Sequence, residues 1–312
     1  VIKAGIFSDL NNLNTYTILS DFYPNCYGLT EEEVKKSLID YNLEYEMGDV
    51  KDWYDGYRFG KTEVYNPWSI LKYLKNGKTE SYWINTASDL TILRLLKEAN
   101  ESMFDGLLNI FNGKSSIQSI NVSSEMNNMQ NSQEIWQLML FSGYLTIDKK
   151  IDEYTYSLKL PNYEVKSFFK EKFLEYNYTE NKSLFKKMIN ALLLKDIDKY
   201  AELLQKILLN SMSYHDGAKE EKFYHNLILG MLLYLDSEYS IKSNIEEGYG
   251  RTDVLMFPLN KLKPGFIFEF KVSEIDDNKS MEKAADEALN QIKDRKYETE
   301  MKRRKVKDIL HL

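Results

Sequence analysis

Apolar and polar positions alternate along this chain in a way that predicts a run of short elements. Thr30-Glu-Glu-Glu33 followed by Val34 and Leu38 has the form of a capping box. Thr30 can accept from the Glu33 amide while Glu33 reaches back, which predicts a helix over 31–41. The Asp55–Gly56 step is a turn signal, and the aromatics around it predict a hairpin with a packed face. Asn66 as N-cap and Pro67 at the first helical position open the next helix, with Ile70, Leu71, Tyr73 and Leu74 facing inward. Leu90, Leu93 and Leu96 predict a further helix over 89–98. Residues 112–132, rich in Asn, Ser and Gln, read as a loop in which Ile117, Ile120 and Val122 can form a short strand. A helix over 134–141 ending near Gly143, then strands over 144–147 and 154–160, make a winged-helix-like arrangement. With Glu134 and Gln137 on the helix that would serve for recognition and no basic cluster there, protein contact is favoured over DNA.

Beyond Pro161 the periodicity becomes cleaner. Helices are predicted over 165–176, 184–194, 197–209 and 219–235, the last with Tyr224, Leu227, Ile228, Met231, Leu232 and Leu235 on one face. Glu221 and His225 lie four apart and share a side of that helix; His225 reads as a hydrogen-bonded structural histidine. Two strand arms follow, 252–257 and 266–272, separated by Pro258, Asn260, Pro264 and Gly265. Side chains alternate across a strand, so Phe266, Phe268, Phe270 and Val272 share one face and Ile267, Glu269 and Lys271 the other. On the first arm Asp253 shares its face with Leu255 and Phe257. A helix over 280–300 turns Ala284, Ala285, Ala288, Leu289 and Ile292 onto the sheet.

Polar groups planted in arms this apolar are costly unless paired or put to use. Asp253 and Glu269 can hold Mg2+ or Mn2+ through oxygen, leaving coordination places for water and a phosphate. Lys271, on the same face, can then orient the water or steady developing charge. The plainer alternative is an ion pair of Lys271 with Glu269 or Asp253 at a sheet edge.

The surrounding residues narrow that choice. Glu221-Lys-Phe-Tyr-His225, Gly248-Tyr-Gly-Arg-Thr-Asp253, Phe268-Glu-Phe-Lys-Val272 and Ala288-Leu-Asn-Gln291-Ile with Tyr297 together resemble the PD-(D/E)xK nuclease superfamily. More closely, they resemble the C-terminal domain of a group of AAA-ATPase-like proteins. Phe7-Ser-Asp-Leu-Asn-Asn12, Trp53-Tyr-Asp-Gly-Tyr-Arg-Phe-Gly60, Val64-Tyr-Asn-Pro-Trp-Ser69 and Tyr82-Trp-Ile-Asn-Thr86 are similar to motifs after that group's ATPase core. The resemblance implies a metal-dependent nuclease acting on nucleic acid, DNA first, with Asp253, Glu269, Lys271, Glu221 and Gln291 at the site. Asp253, Glu269 and Glu221 would be its metal ligands. Glu221 reads equally as an exposed first-turn acid, and Gln291 and Tyr297 equally as buried hydrogen-bonding partners. The competing reading is a catalytically inactive module binding nucleic acid or protein within a larger ATPase-like protein.

The expected fold is α/β, α+β overall. It comprises an ATPase-like remnant over 1–110, a winged-helix-like module over 111–163, and a restriction-endonuclease-like domain over 164–312. That last domain has a helical lead-in over 164–210 and a small mixed sheet flanked by helices. No Gly-rich phosphate loop ending in Gly-Lys-Ser/Thr occurs, and the chain opens on Val1. The expectation is therefore a fragment with no ATP site of its own and an upstream ATPase core as partner. With 43% hydrophobic and 29% charged residues the chain can bury substantial cores. No apolar run suits a membrane span. The single Cys26 excludes an internal disulfide and suits the cytoplasm. A net charge of -7 argues against a sequence-independent nucleic-acid coat, leaving the basic stretch over 293–307 as a local candidate or a solvated helix face.

Overall fold

The computed structural model describes residues 16–43, 47–83, 101–120, 132–177, 182–211, 227, 230–231, 233–235, 237–247, 250–271, 278–294 and 297–312. The chain forms two compact units, 1–177 and 178–312. The expected helix over 89–98, Val122 and most of the helix over 219–235 lie outside the described residues.

In the first unit α1 (Glu31–Asp40) begins on the anticipated capping box. The Thr30 amide donates to Glu33 Oε2 at 2.8 Å, and the Glu33 amide donates to Thr30 Oγ1 at 3.4 Å. A helix that the sequence reading passed over, α2 (Met47–Tyr54), comes next. The hairpin is present as β1 (Tyr57–Phe59) and β2 (Thr62–Val64), but its turn is Gly60–Lys61 rather than Asp55–Gly56. Asp55–Gly56 instead stops α2. Gly56 has φ +92°, and a Cβ there would lie 2.0 Å from the Pro161 carbonyl oxygen, so the close approach requires glycine.

Helix α3 (Pro67–Asn76) is capped as expected, Asn66 Oδ1 accepting from the Trp68 and Ser69 amides. Ile70, Tyr73 and Leu74 are buried with Val34, Leu38, Val50, Tyr54 and Tyr65. Leu71 departs from expectation: it is 61% exposed, one step around the helix from the buried face. The chain continues through α4 (Glu101–Phe111), β3 (Ser116–Ser119), α5 (Ser132–Phe141), β4 (Thr146–Lys150), β5 (Thr155–Lys159) and α6 (Tyr163–Asn177). The three strands form an antiparallel sheet in the order β3-β5-β4.

The second unit opens with α7 (Lys182–Leu193) and α8 (Ile197–Ser211), close to the predicted spans. Its sheet runs β6 (Tyr239–Glu247), β7 (Gly250–Pro258), β8 (Gly265–Phe268) and β9 (Ile309–His311) in that spatial order. The first three strands pair antiparallel, and β9 joins β8 in parallel, so the sheet is mixed. The predicted single helix over 280–300 is two, α9 (Asn278–Asp294) and α10 (Thr299–Arg303). The break has a packing reason: Tyr297, between the two, is fully buried and joins Ile292 and Met301 against Leu255, Phe257 and Ile267. Ala285, expected on the sheet, is exposed, whereas Ala288 and Ile292 are buried. On the opposite sheet face Phe266 packs on Tyr239 and Phe268 on Tyr200. The protein is thus mixed α/β, and its last sheet has the make-up expected of a restriction-endonuclease-like domain.

Candidate active site

The pairing of β7 with β8 sets the site. Val254 lies opposite Phe268, Leu255 opposite Ile267 and Met256 opposite Phe266. Strand β8 stops at Phe268, short of the expected arm over 266–272, so Glu269 and Lys271 follow the strand end. Continued by one residue, its register would set Asp253 across from Glu269. Two backbone hydrogen bonds hold the continuation in place. The Phe270 amide donates to Asp253 Oδ2 at 2.7 Å, and the Glu269 amide donates to the Leu312 carbonyl at 2.9 Å. Strand β9, which the sequence reading missed, therefore props up the residue that carries the second acid.

Glu269 is only 7% exposed. Its Oε1 accepts from Lys271 Nζ at 3.2 Å and from Gln291 Nε2. Lys271 Nζ donates in turn to Gln291 Oε1 at 2.8 Å, and Gln291 Nε2 lies 3.2 Å from the Tyr297 hydroxyl. Glu269 Oε2, by contrast, is buried with no hydrogen-bond partner among the described residues. Burial pushes the Glu269 carboxyl above the usual carboxylate range, and the nearby Asp253 charge adds to the rise; Lys271, and more weakly the Asp253 backbone amide, oppose both. A buried carboxylate oxygen without a donor is costly, and beside a second carboxylate it suits a hard divalent cation with oxygen ligands. The residues present fit such an ion.

Of the residues singled out from sequence, Asp253, Glu269, Lys271 and Gln291 come together. Glu221 and His225 lie outside the described residues. Among the described residues no three His, Cys, Asp or Glu side chains converge. The ion pair of the plainer reading, Lys271 with Glu269, is also present, with the lysine side chain 33% exposed. The basic stretch over 293–307 is divided between the end of α9, α10 and the chain beyond. Two of its cations are engaged by acids on α10 or next to it, Lys302 with Glu298 and Arg304 with the buried Glu300.

A family model described as the PD-(D/E)XK nuclease superfamily matches residues 219–312, the part that contains all of these groups. Residues 219–312 therefore carry a PD-(D/E)XK nuclease superfamily domain, a class that generally works with divalent metals such as Mg2+. The chain is also 26% identical over 319 residues to "Uncharacterized protein in vnfD 5′region" from Azotobacter chroococcum mcd 1. That match covers 95% of this chain and 55% of the relative, so the chain spans about half that protein's length. No solved structure matches. Among the described residues no helix is long and apolar enough to cross a membrane.

Proposed function

We propose that the second unit hydrolyses phosphodiester bonds of nucleic acid, DNA first, with a divalent metal. The observation that carries this reading is the buried Glu269, near the Asp253 charge, whose Oε2 has no hydrogen-bond partner among the described residues. Asp253 and Glu269 would hold Mg2+ or Mn2+, with Glu221 as a third acid by resemblance to the family. Such an ion, when bound, supplies a water of lowered pKa and neutralises charge on the phosphate. Lys271, tethered to Glu269 and Gln291 by two of its N–H donors, would present the third toward the nucleophile or the phosphoryl oxygens. Gln291 keeps Lys271 and Glu269 in fixed relation by bonding to both. Incubation with single- and double-stranded DNA and with RNA, plus Mg2+ or Mn2+, is the test. Cleavage is expected with the unaltered chain and lost in Asp253→Asn and Lys271→Ala; cleavage that survives both substitutions overturns the proposal.

The Lys271–Glu269 ion pair at 3.2 Å favours a second reading, a non-catalytic nucleic-acid- or protein-binding module. Calorimetric titration with Mn2+ separates the two, because the ion pair alone forms no divalent site. The order helix, strand, helix and hairpin over 101–159 supports a winged-helix-like module over 111–163 used for partner contact. An upstream ATPase core as partner rests on the family resemblance of residues 1–110.

A further inference from the structure

Three lysines distant in sequence meet around one groove of the first unit. Lys114 follows the end of α4, Lys159 closes β5, and Lys166 lies in the first turn of α6. The groove has a volume of about 340 Å3, within the range of small-ligand sites. Phe111 contributes to an apolar floor, and Tyr163 stands at the side, 42% exposed. That ring is braced by Trp53, the two ring centres lying 4.9 Å apart. Asp52 is the one acid among the described lining residues, against three lysines, and Asp148 meets Lys159 from outside the lining. Lys114 makes no ion pair with a described residue. Lys159 is bound to Asp148 at 3.5 Å, a half-exposed pair of the kind that contributes little and that a phosphate can displace.

This combination is selective in its chemistry. An acidic peptide would use the lysines but not the aromatic side, and an apolar ligand would make no use of the lysines. A phosphate linked to a flat heterocycle uses both. Lysine-lined grooves with an aromatic stacking surface suit nucleotides without regard to base. We propose that this groove binds a nucleotide unit, its phosphate on Lys114, Lys159 and Lys166 and its base against Tyr163. The proposal is independent of the nuclease reading, because it requires neither the metal nor Asp253 and Glu269.

The test uses the full chain in EDTA, which silences metal-dependent cleavage, and follows fluorescence anisotropy of a labelled twelve-residue oligothymidylate. Lys114→Glu and Lys166→Gln should each weaken binding and together flatten the salt dependence, by about 0.7 in the log–log slope per lysine. Tyr163→Ala should weaken it about fivefold or more. Lys36→Glu, on an exposed lysine of α1 outside the groove, makes the same charge change as Lys114→Glu and controls for net charge. Circular dichroism confirms that each variant is folded. Displacement of the oligonucleotide by free thymidine monophosphate assigns the groove to free nucleotides, and failure to displace assigns it to a unit within a strand. Groove variants that bind like Lys36→Glu overturn the proposal, while metal-dependent cleavage, assayed separately, stays a test of the nuclease site alone.

Discussion

Two buried glutamates, one in each unit, differ in how completely the chain satisfies them. Glu164, at the start of α6, is fully buried, and both of its oxygens are satisfied. Oε1 accepts from the Tyr82 amide at 2.6 Å and the Trp83 amide at 2.9 Å, while Oε2 accepts from the Ser69 hydroxyl at 2.8 Å. Glu269 is almost as buried, yet one oxygen carries all of its hydrogen bonds and the other has none among the described residues. Burial raises both carboxyls above their ordinary range, so neither the depth nor the direction of the shift distinguishes them. Completeness of the donor set does. Glu164 is finished by its own chain, whereas under the proposed function Glu269, beside Asp253, is completed by a cation.

The largest expected effect follows from that difference. Glu269→Gln keeps the shape but removes the charge, and metal-dependent cleavage should fall on the order of a thousandfold, the scale of several kcal/mol of charge stabilisation. Calorimetry with Mn2+ should lose its binding isotherm in the same variant. At Glu164 the same substitution should be tolerated. A Gln carbonyl can still accept from the two amides, and its amide can donate to Ser69 if the hydroxyl turns. Glu164→Ala is the disruptive change, leaving three buried donors unpaired at a cost of about 3 kcal/mol or more in urea unfolding. A Glu269→Gln variant that cleaves normally would break the comparison at once.

A smaller effect tests the link between the acid and the lysine. Gln291→Ala removes the side chain that bonds both Glu269 and Lys271. Loss of a residue that orients others in a metal site typically costs 10- to 100-fold. The expected result is a drop of about that size in kcat with KM little changed, since Gln291 acts here by positioning. An equal fall in substrate affinity would instead place Gln291 in direct contact with nucleic acid.

Much of this was legible in the sequence wherever the deciding interactions are local. The capping box at Thr30 and the Asn66–Pro67 helix start depend on residues a few positions apart, as does the neighbourhood of Glu269 and Lys271, two residues from each other. What escaped depends on distant partners. Glu164 reads as an ordinary first-turn acid, because its three donors come from 81 to 95 residues away. Strand β9 is three residues long and exists through parallel pairing with β8 across α9 and α10. The division between α9 and α10 follows from the burial of Tyr297, which the apolar spacing around it does not announce. Helix α4 is a different case. Met103, Phe104, Leu107, Leu108 and Phe111 recur at helical spacing and are all buried, so the signal was present and was passed over.

The finest test of the two glutamates is their pH dependence. An acid whose folded pKa lies above its ordinary value of 4.5 holds its proton more tightly in the folded chain. Its contribution to stability is full below about pH 4.5 and is lost as pH rises through the raised folded value. Glu164→Gln and Glu269→Gln should each make that decline shallower. The divalent ion then tells them apart, because a ligand that binds only the folded chain stabilises it in proportion to its occupancy. Mn2+ should restore neutral-pH stability to the unaltered chain and to Glu164→Gln, and should leave Glu269→Gln where it was. Urea melts from pH 4 to 8, with and without Mn2+, make the measurement. Equal stabilisation of Glu269→Gln by Mn2+ would mean that the ion sits elsewhere, and that the unpartnered Oε2 is a structural defect with no part in binding it.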